Sequence, residues 1–235
     1  MSKDKLRRFK ELGQFDRVFQ PRIEEINNKD YSLKGKWKQE VFHNSHPLVL
    51  ELGCGKGEYT IGMARHFPGK NFIGIDIKGA RMWKGAKASH DEKIINSAFL
   101  RTRIELIASF FAPGEVDEIW ITFPDPQPTE RRKKKRLTSP GFLNFYQAFM
   151  IDGGIVHLKT DSNPLYDYTL KLLNDNNLEI LFKTTDLYHS DIVDDILDIK
   201  TFYEKKFLET GSNINYLKFL LKKFPPLHEI AEENK

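Results

Sequence analysis

The sequence predicts an α/β protein built on a mostly parallel sheet with helices on both faces. Two observations carry this. From residue 47 onward short apolar runs alternate with longer amphipathic stretches, the rhythm of strands joined by crossover helices. The first of those runs empties directly into a glycine-rich turn with a helix behind it. The predicted strands are 48–52, 71–75, 97–100, 118–122 and 155–159, and the predicted helices between them are 58–67, 79–90, 104–111 and 140–150. Ser139-Pro140 and Asn163-Pro164 place a capping side chain before a proline at a first helical position. Beyond the helix opened by Pro164, residues 178–183 and 214–221 read as a closing antiparallel pair across an acidic loop, making seven strands. Residues 1–45 are polar, basic and spotted with aromatics, and Pro21 and Gly35 interrupt them. They read as an extension lying over a main domain of residues 46–235.

Composition narrows the function. The 235 residues are 40% hydrophobic and 12% aromatic, enough for a real core, and no apolar run is long enough to span a membrane. The charged start of the chain is unlike a secretory signal, so a soluble, cytoplasmic protein is expected. Cys54 is the single cysteine, which leaves no intramolecular disulfide and no multi-cysteine zinc site. His43 and His46 lack further ligands, so no metal is expected. The net charge is only +4, but cations crowd into residues 3–10 and 131–136, and acids gather at Asp186, Asp191, Asp194, Asp195 and Asp198. Such polarity suggests an anionic partner, nucleic acid first, although charge runs are also ordinary solvated surface.

The glycine loop is Glu51-Leu-Gly53-Cys-Gly55-Lys-Gly57. Its glycines allow positive φ and close approach of a ligand to the backbone. Their spacing departs from the dinucleotide fingerprint, and Glu51 would repel a diphosphate while suiting a cationic aminoacyl group. Asp76 ends the next strand, where an acid accepts both hydroxyls of a ribose. A nucleoside with a cationic tail fits both acids, and S-adenosylmethionine is such a molecule. Alone, the glycine loop would equally be a tight strand–helix turn. A second cluster follows: the strand ending Trp120-Ile-Thr-Phe-Pro-Asp125-Pro126 runs into two prolines, which push the residues before them to extended geometry and hold Asp125 at a strand lip. The basic run 131–136 comes next. The aromatics Phe142, Phe145, Tyr146 and Phe149 fall at helical spacing and read as core.

Taken together with Lys159-Thr-Asp161 and Thr201-Phe202-Tyr203-Glu204, these segments resemble the bacterial tRNA (guanine-N7-)-methyltransferases, from about residue 48 to 220. The glycine loop is generic to class I methyltransferases; the other segments are more specific. The resemblance implies a Rossmann-like class I methyltransferase fold, a mostly parallel seven-stranded sheet with a C-terminal antiparallel strand. It implies methyl transfer from S-adenosylmethionine to N7 of guanosine 46 in the tRNA variable loop. Glu51, Asp76, Arg103 and Asp125 match cofactor-holding positions, beside Gly53, Gly55 and Gly57, and Asp125 also matches the catalytic position. Thr129, Asp161 and Thr201, Phe202, Tyr203 and Glu204 match substrate contacts. The family commonly has Asp where this chain has Arg103, Trp and Lys at Gln127 and Thr129, and His at Arg132. An arginine cannot accept the adenine amine's hydrogen bond, so a backbone group would serve there. The alternative for Asp161 is a turn carboxylate capping the next helix, a place for which Ser162 and Asn163 compete. Competing readings are a methyltransferase of the same fold acting on a small molecule, a non-catalytic RNA-binding protein, and, least, a nicotinamide oxidoreductase. Monomer and homodimer are both compatible with the sequence.

Overall fold

The computed structural model describes residues 3–26 and 29–229; for Lys3 and Tyr203 it describes the backbone alone. Chain order runs α1 (Lys3–Leu12), β1 (Val18–Phe19), α2 (Ile23–Ile26), β2 (Leu48–Leu52), α3 (Glu58–His66), β3 (Asn71–Ile75), α4 (Gly79–Asp91), β4 (Ser97–Leu100) and β5 (Val116–Thr122). It continues α5 (Pro140–Gln147), β6 (Met150–Thr160), α6 (Asn163–Asp175), β7 (Ile180–Thr184), α7 (Phe202–Glu209) and β8 (Asn215–Leu221). Among the described residues one sheet forms, ordered β1-β4-β3-β2-β5-β6-β8-β7. Every pairing from β1 to β6 is parallel, and β8 runs antiparallel to both β6 and β7.

The sheet has eight strands where the sequence pattern predicts seven. The extra strand is β1, two residues long, placed against Phe99 and Leu100. No apolar rhythm marks it: the Arg17 and Phe19 carbonyls accept from the Phe99 and Arg101 amides, a backbone match that side-chain patterning does not encode. The predicted helix at 104–111 is a short 3-10 turn, Ile104–Ser109.

β2 and β3 are buried along their whole length, as expected for strands covered on both faces. One face packs Leu48, Leu50, Leu52, Ile119, Ile121 and Leu158 beneath α5, α6 and the N-terminal stretch around Trp37. Trp37 is fully buried, its indole N–H donating to the Phe110 carbonyl at 2.8 Å. The other face sets Val49, Phe72, Trp120 and Tyr216 beneath α3 and the acidic segment that carries Leu187, Ile196 and Leu197. The strand order reverses between β2 and β5, so the carboxyl ends of β2, β3 and β5 open on a crevice at the switch point.

Candidate active site in the switch-point crevice

Glycine geometry shapes the crevice floor. Gly53, Gly55 and Gly57 all have positive φ. A Cβ on Gly57 would stand 2.6 Å from the Phe99 ring and 3.2 Å from Gly85 Cα, so α3 and α4 close together only on a bare backbone. A Cβ on Gly53 would meet nothing within 4 Å. That glycine lines two neighbouring spaces, which also share Asp76 in their walls. The larger cavity, about 690 Å³, is lined by Gly53, Asp76, Ile77, Arg103, Asp125, Lys134, Lys135 and Phe142, among others. The narrower cleft, about 100 Å³, shares Gly53 and Asp76 and adds Glu51, Thr122, Phe123 and Thr201.

Glu51 lies at the cleft's root, 2% exposed. Its Oε2 accepts from the Thr60 amide at 2.8 Å and from the Thr60 hydroxyl, and its Oε1 accepts from Thr122 Oγ1 at 2.8 Å. Burial pushes its carboxyl from 4.5 up to about 7, against the downward pull of the Thr60 and Thr122 bonds. Asp76 accepts from the Gly55 amide at 2.9 Å and the Lys78 amide at 2.7 Å, so it braces the glycine loop. Thr60 and Thr122 are the partners that sequence reasoning missed. Threonine in a helix and at a strand end carries no signal of its own, since only the fold brings both hydroxyls onto Glu51.

The Phe-Pro-Asp-Pro loop departs from the extended geometry predicted for it. Phe123 (φ 48°) and Gln127 (φ 46°) are both left-handed although each precedes a proline. Such conformers cost on the order of 1–3 kcal/mol each and persist where surroundings over-determine them. Here the Phe123 amide donates to the Lys159 carbonyl at 2.8 Å, and Arg136 donates from Nε and Nη2 to the Gln127 carbonyl at 3.3 Å. Asp125 is left exposed at the cavity wall, accepting only the Gln127 amide at 3.1 Å within the loop.

The basic run is therefore not a uniform belt. Residues 130–135 form an exposed 3-10 turn, and Lys134 and Lys135 reach the cavity wall. Arg136 is a correction to the reading of residues 131–136 as a run facing an anionic partner: it is 4% exposed, pinned on Gln127 and stacked 4.2 Å from the Tyr168 ring centre. The N-terminal cations are also partly spoken for, because Arg7 and Arg8 pair with Asp4 and lie over Trp83.

The remaining predicted residues scatter around the crevice. Arg103 stands at its rim, 64% exposed and 3.3 Å from Glu105. Thr129 is exposed before the 3-10 turn and is not part of the cavity wall. Asp161 is half-buried at the end of β6, its pKa raised by desolvation, and it too lies off both walls. Ser162, not Asp161, caps α6 by accepting from the Leu165 amide. Thr201 lines the cleft and caps α7, with its hydroxyl accepting from the Glu204 amide. Phe202 donates its amide to Glu58 at 2.7 Å, and its ring carries Lys56 Nζ at 3.3 Å. The Tyr203 side chain lies outside the described residues, and Glu204 is fully buried. Of the four aromatics at helical spacing, Tyr146 on α5 and Phe149 in the turn after it are core, whereas Phe145 is 47% exposed, contrary to the core reading, and Phe142 lines the cavity.

Comparison with known proteins shows the family of the chain and the kind of fold. Residues 45–217 match the model of a family described as "Putative methyltransferase". A tRNA (guanine-N(7)-)-methyltransferase of Bacteroides fragilis is 52% identical over 97% of this chain and 90% of its own length. A protein of the same name from Christiangramia forsetii is 53% identical over 94% of this chain and 99% of its own. In fold the chain is similar to the 16S rRNA methyltransferase KamB, with a TM-score of 0.60 at 14% identity over 78% of this chain and 92% of that one. By family match and by identity along nearly the whole chain, this protein belongs to the tRNA (guanine-N(7)-)-methyltransferase family.

Proposed function

We infer that this chain transfers a methyl group from S-adenosylmethionine to N7 of a guanine in tRNA, and we propose guanosine 46 of the variable loop as its target. The observation that carries the reading is the meeting of Gly53, Asp76 and Asp125 on one cavity, with Glu51 in the neighbouring cleft that shares Gly53 and Asp76. The donor set fits the cofactor by its chemistry. A buried carboxylate at Glu51 suits the aminoacyl ammonium, Asp76 suits the ribose hydroxyls, and the bare face of Gly53 leaves room for the chain between them. Ile77, Ile104 and Phe142 supply apolar walls for the adenine. Arg103 would lie along that rim, so the adenine amine would find a backbone acceptor there.

S-adenosylmethionine supplies a sulfonium-activated methyl, and guanine N7 meets it with an in-plane lone pair that carries no proton. No general base is required. The protein's task is alignment of nucleophile, carbon and leaving sulfur, which is worth on the order of 7–11 kcal/mol. Asp125, free of any cation among its hydrogen-bond partners in the loop, would accept from the guanine N1–H and amine and offset the positive charge that grows on the purine. Lys134 and Lys135, with the exposed Arg131 and Arg132 beside them, would meet RNA phosphates. These cations favour the RNA reading over a small-molecule methyltransferase, which would have little use for them.

Labelled cofactor incubated with unmodified tRNA tests the reading once the methyl is mapped. Label at N7 of guanosine 46 is expected; label on another atom, or none on RNA, overturns it.

The state of Glu51 adds a pH signature. A carboxyl titrating near 7 is protonated in the free protein below that pH, and an incoming ammonium favours its ionised form. Cofactor affinity is therefore expected to rise from pH 6 to 8, with proton release on binding visible in calorimetry run in two buffers; Glu51→Gln should flatten the profile. For folding the sign is opposite. The folded chain keeps a proton that the unfolded chain loses above about 4.5, so this group's contribution to stability falls as pH rises from about 4.5 to about 7.

A further inference from the structure

The sequence resemblance assigns Glu204 to the substrate, but the carboxylate faces inward. Glu204 and Lys159 form an ion pair at 2.8 Å with both side chains at 0% exposure. Lys159 Nζ also donates to the Leu197 carbonyl at 2.7 Å and approaches Tyr188 Oη at 3.4 Å. Tyr188 in turn donates to Glu204 Oε1 at 2.5 Å. One ammonium from β6 thus gathers the end of the acidic segment, the 3-10 turn at Leu187–His189 and the first turn of α7. A buried ion pair is a poor route to stability, because apolar residues of equal volume usually serve as well or better. What it adds is direction.

We propose that Lys159 is a positioning residue, which acts through Glu204 to set Thr201 in the wall of the methyl-transfer cleft. The chain of contacts is continuous. Glu204 Oε2 accepts from the Thr201 amide at 3.3 Å, and Thr201 Oγ1 accepts from the Glu204 amide at 3.2 Å, so fixing Glu204 fixes Thr201. Thr201 lines the same cleft as Glu51, Thr122 and Phe123. The backbone of Lys159 reaches the opposite wall: it lies in register with Thr122, and its carbonyl holds the left-handed Phe123 that starts the Asp125 loop. One residue therefore references both walls to the same point of β6. The Tyr59 and Tyr188 rings, 5.3 and 5.6 Å from Nζ, flank the buried ammonium. The inference rests on the functional reading above for its activity readout, but not for its structural one.

Lys159→Met alone strands a buried carboxylate and is expected to unfold the chain, so the pair is replaced together. In full-length Lys159→Met/Glu204→Gln the amide oxygen can still accept from the Thr201 amide and Tyr188. The expected result is a melting temperature near wild type with kcat on tRNA, per folded molecule, lower by about 10- to 100-fold. Amide hydrogen exchange over residues 197–204 should rise at least about tenfold while that of β6 stays unchanged. Tyr188→Phe, a milder change that touches both members of the pair, should show the same signs at severalfold. Unchanged exchange in residues 197–204, or unchanged kcat in both variants, overturns the proposal. A wild-type chain that transfers no methyl to tRNA counts against the functional reading, and exchange then decides the role of Lys159 by itself.

Discussion

Replacing Asp125 by alanine is expected to lower kcat for tRNA methylation by roughly 10²–10³-fold while the melting temperature stays within a few degrees of wild type, about the loss seen when one preorganised electrostatic group is removed from a transition state. The side chain is exposed at the cavity wall, and its one hydrogen bond in the loop is to the Gln127 amide. The loop's shape depends on other contacts, those from the Lys159 carbonyl to Phe123 and from Arg136 to Gln127. Catalysis and folding thus separate at this position. Because the carboxylate offsets charge that appears only as N7 is alkylated, the loss belongs in kcat more than in KM. Asparagine at 125 would keep a hydrogen-bond acceptor without the charge and should fall between the two. Single-turnover transfer of labelled methyl, beside a thermal melt, checks this; turnover near wild type would remove Asp125 from the mechanism.

Asp76→Ala is expected to weaken S-adenosylmethionine binding by about 10- to 100-fold, the worth of one or two hydrogen bonds to a charged group, and to leave tRNA affinity nearly unchanged. Part of the loss comes from the cofactor and part from the loop. The carboxylate accepts from the Gly55 amide at 2.9 Å, so its removal also frees a glycine turn whose shape forms the floor of the cavity. Asp76→Asn separates the two contributions, since the amide oxygen can still take the Gly55 N–H. Calorimetry with cofactor and filter binding with tRNA give the comparison. A larger effect on RNA than on cofactor would contradict the ribose assignment.

The parallel core was legible because its strands are buried on both faces and read as nearly continuous apolar runs, as at residues 48–52, broken by Glu51, and 71–75, which opens on Asn71. The acids at 51, 76 and 125 were legible because strand ends in such sheets face the ligand side. Glu51, Asp76 and Asp125 do line two neighbouring spaces at the switch point, with Asp76 in the wall of both. Other features leave no local trace. β1 is held by backbone bonds to β4. Arg136 looks like its neighbours in the basic run, yet it turns inward because Gln127 and Tyr168 wait for it across the fold. Phe123 and Gln127 break the rule for residues before proline, and a rule of local sterics cannot foresee contacts made some nine and thirty-six residues along the chain.

The sequence by itself determined the class of fold, the family and the strand ends that open on the crevice, because hydrophobic rhythm, glycine and proline act over a few residues. Only the tertiary structure decided which charges face the crevice and which are spent inside. Lys159 and Glu204, on β6 and α7, are as polar in sequence as Lys134 and Lys135, yet one pair is sealed at 0% exposure while the other lines the cavity. The physical reason is that the cost of burying a charge is met by partners distant along the chain, and those partners meet only when the sheet has formed.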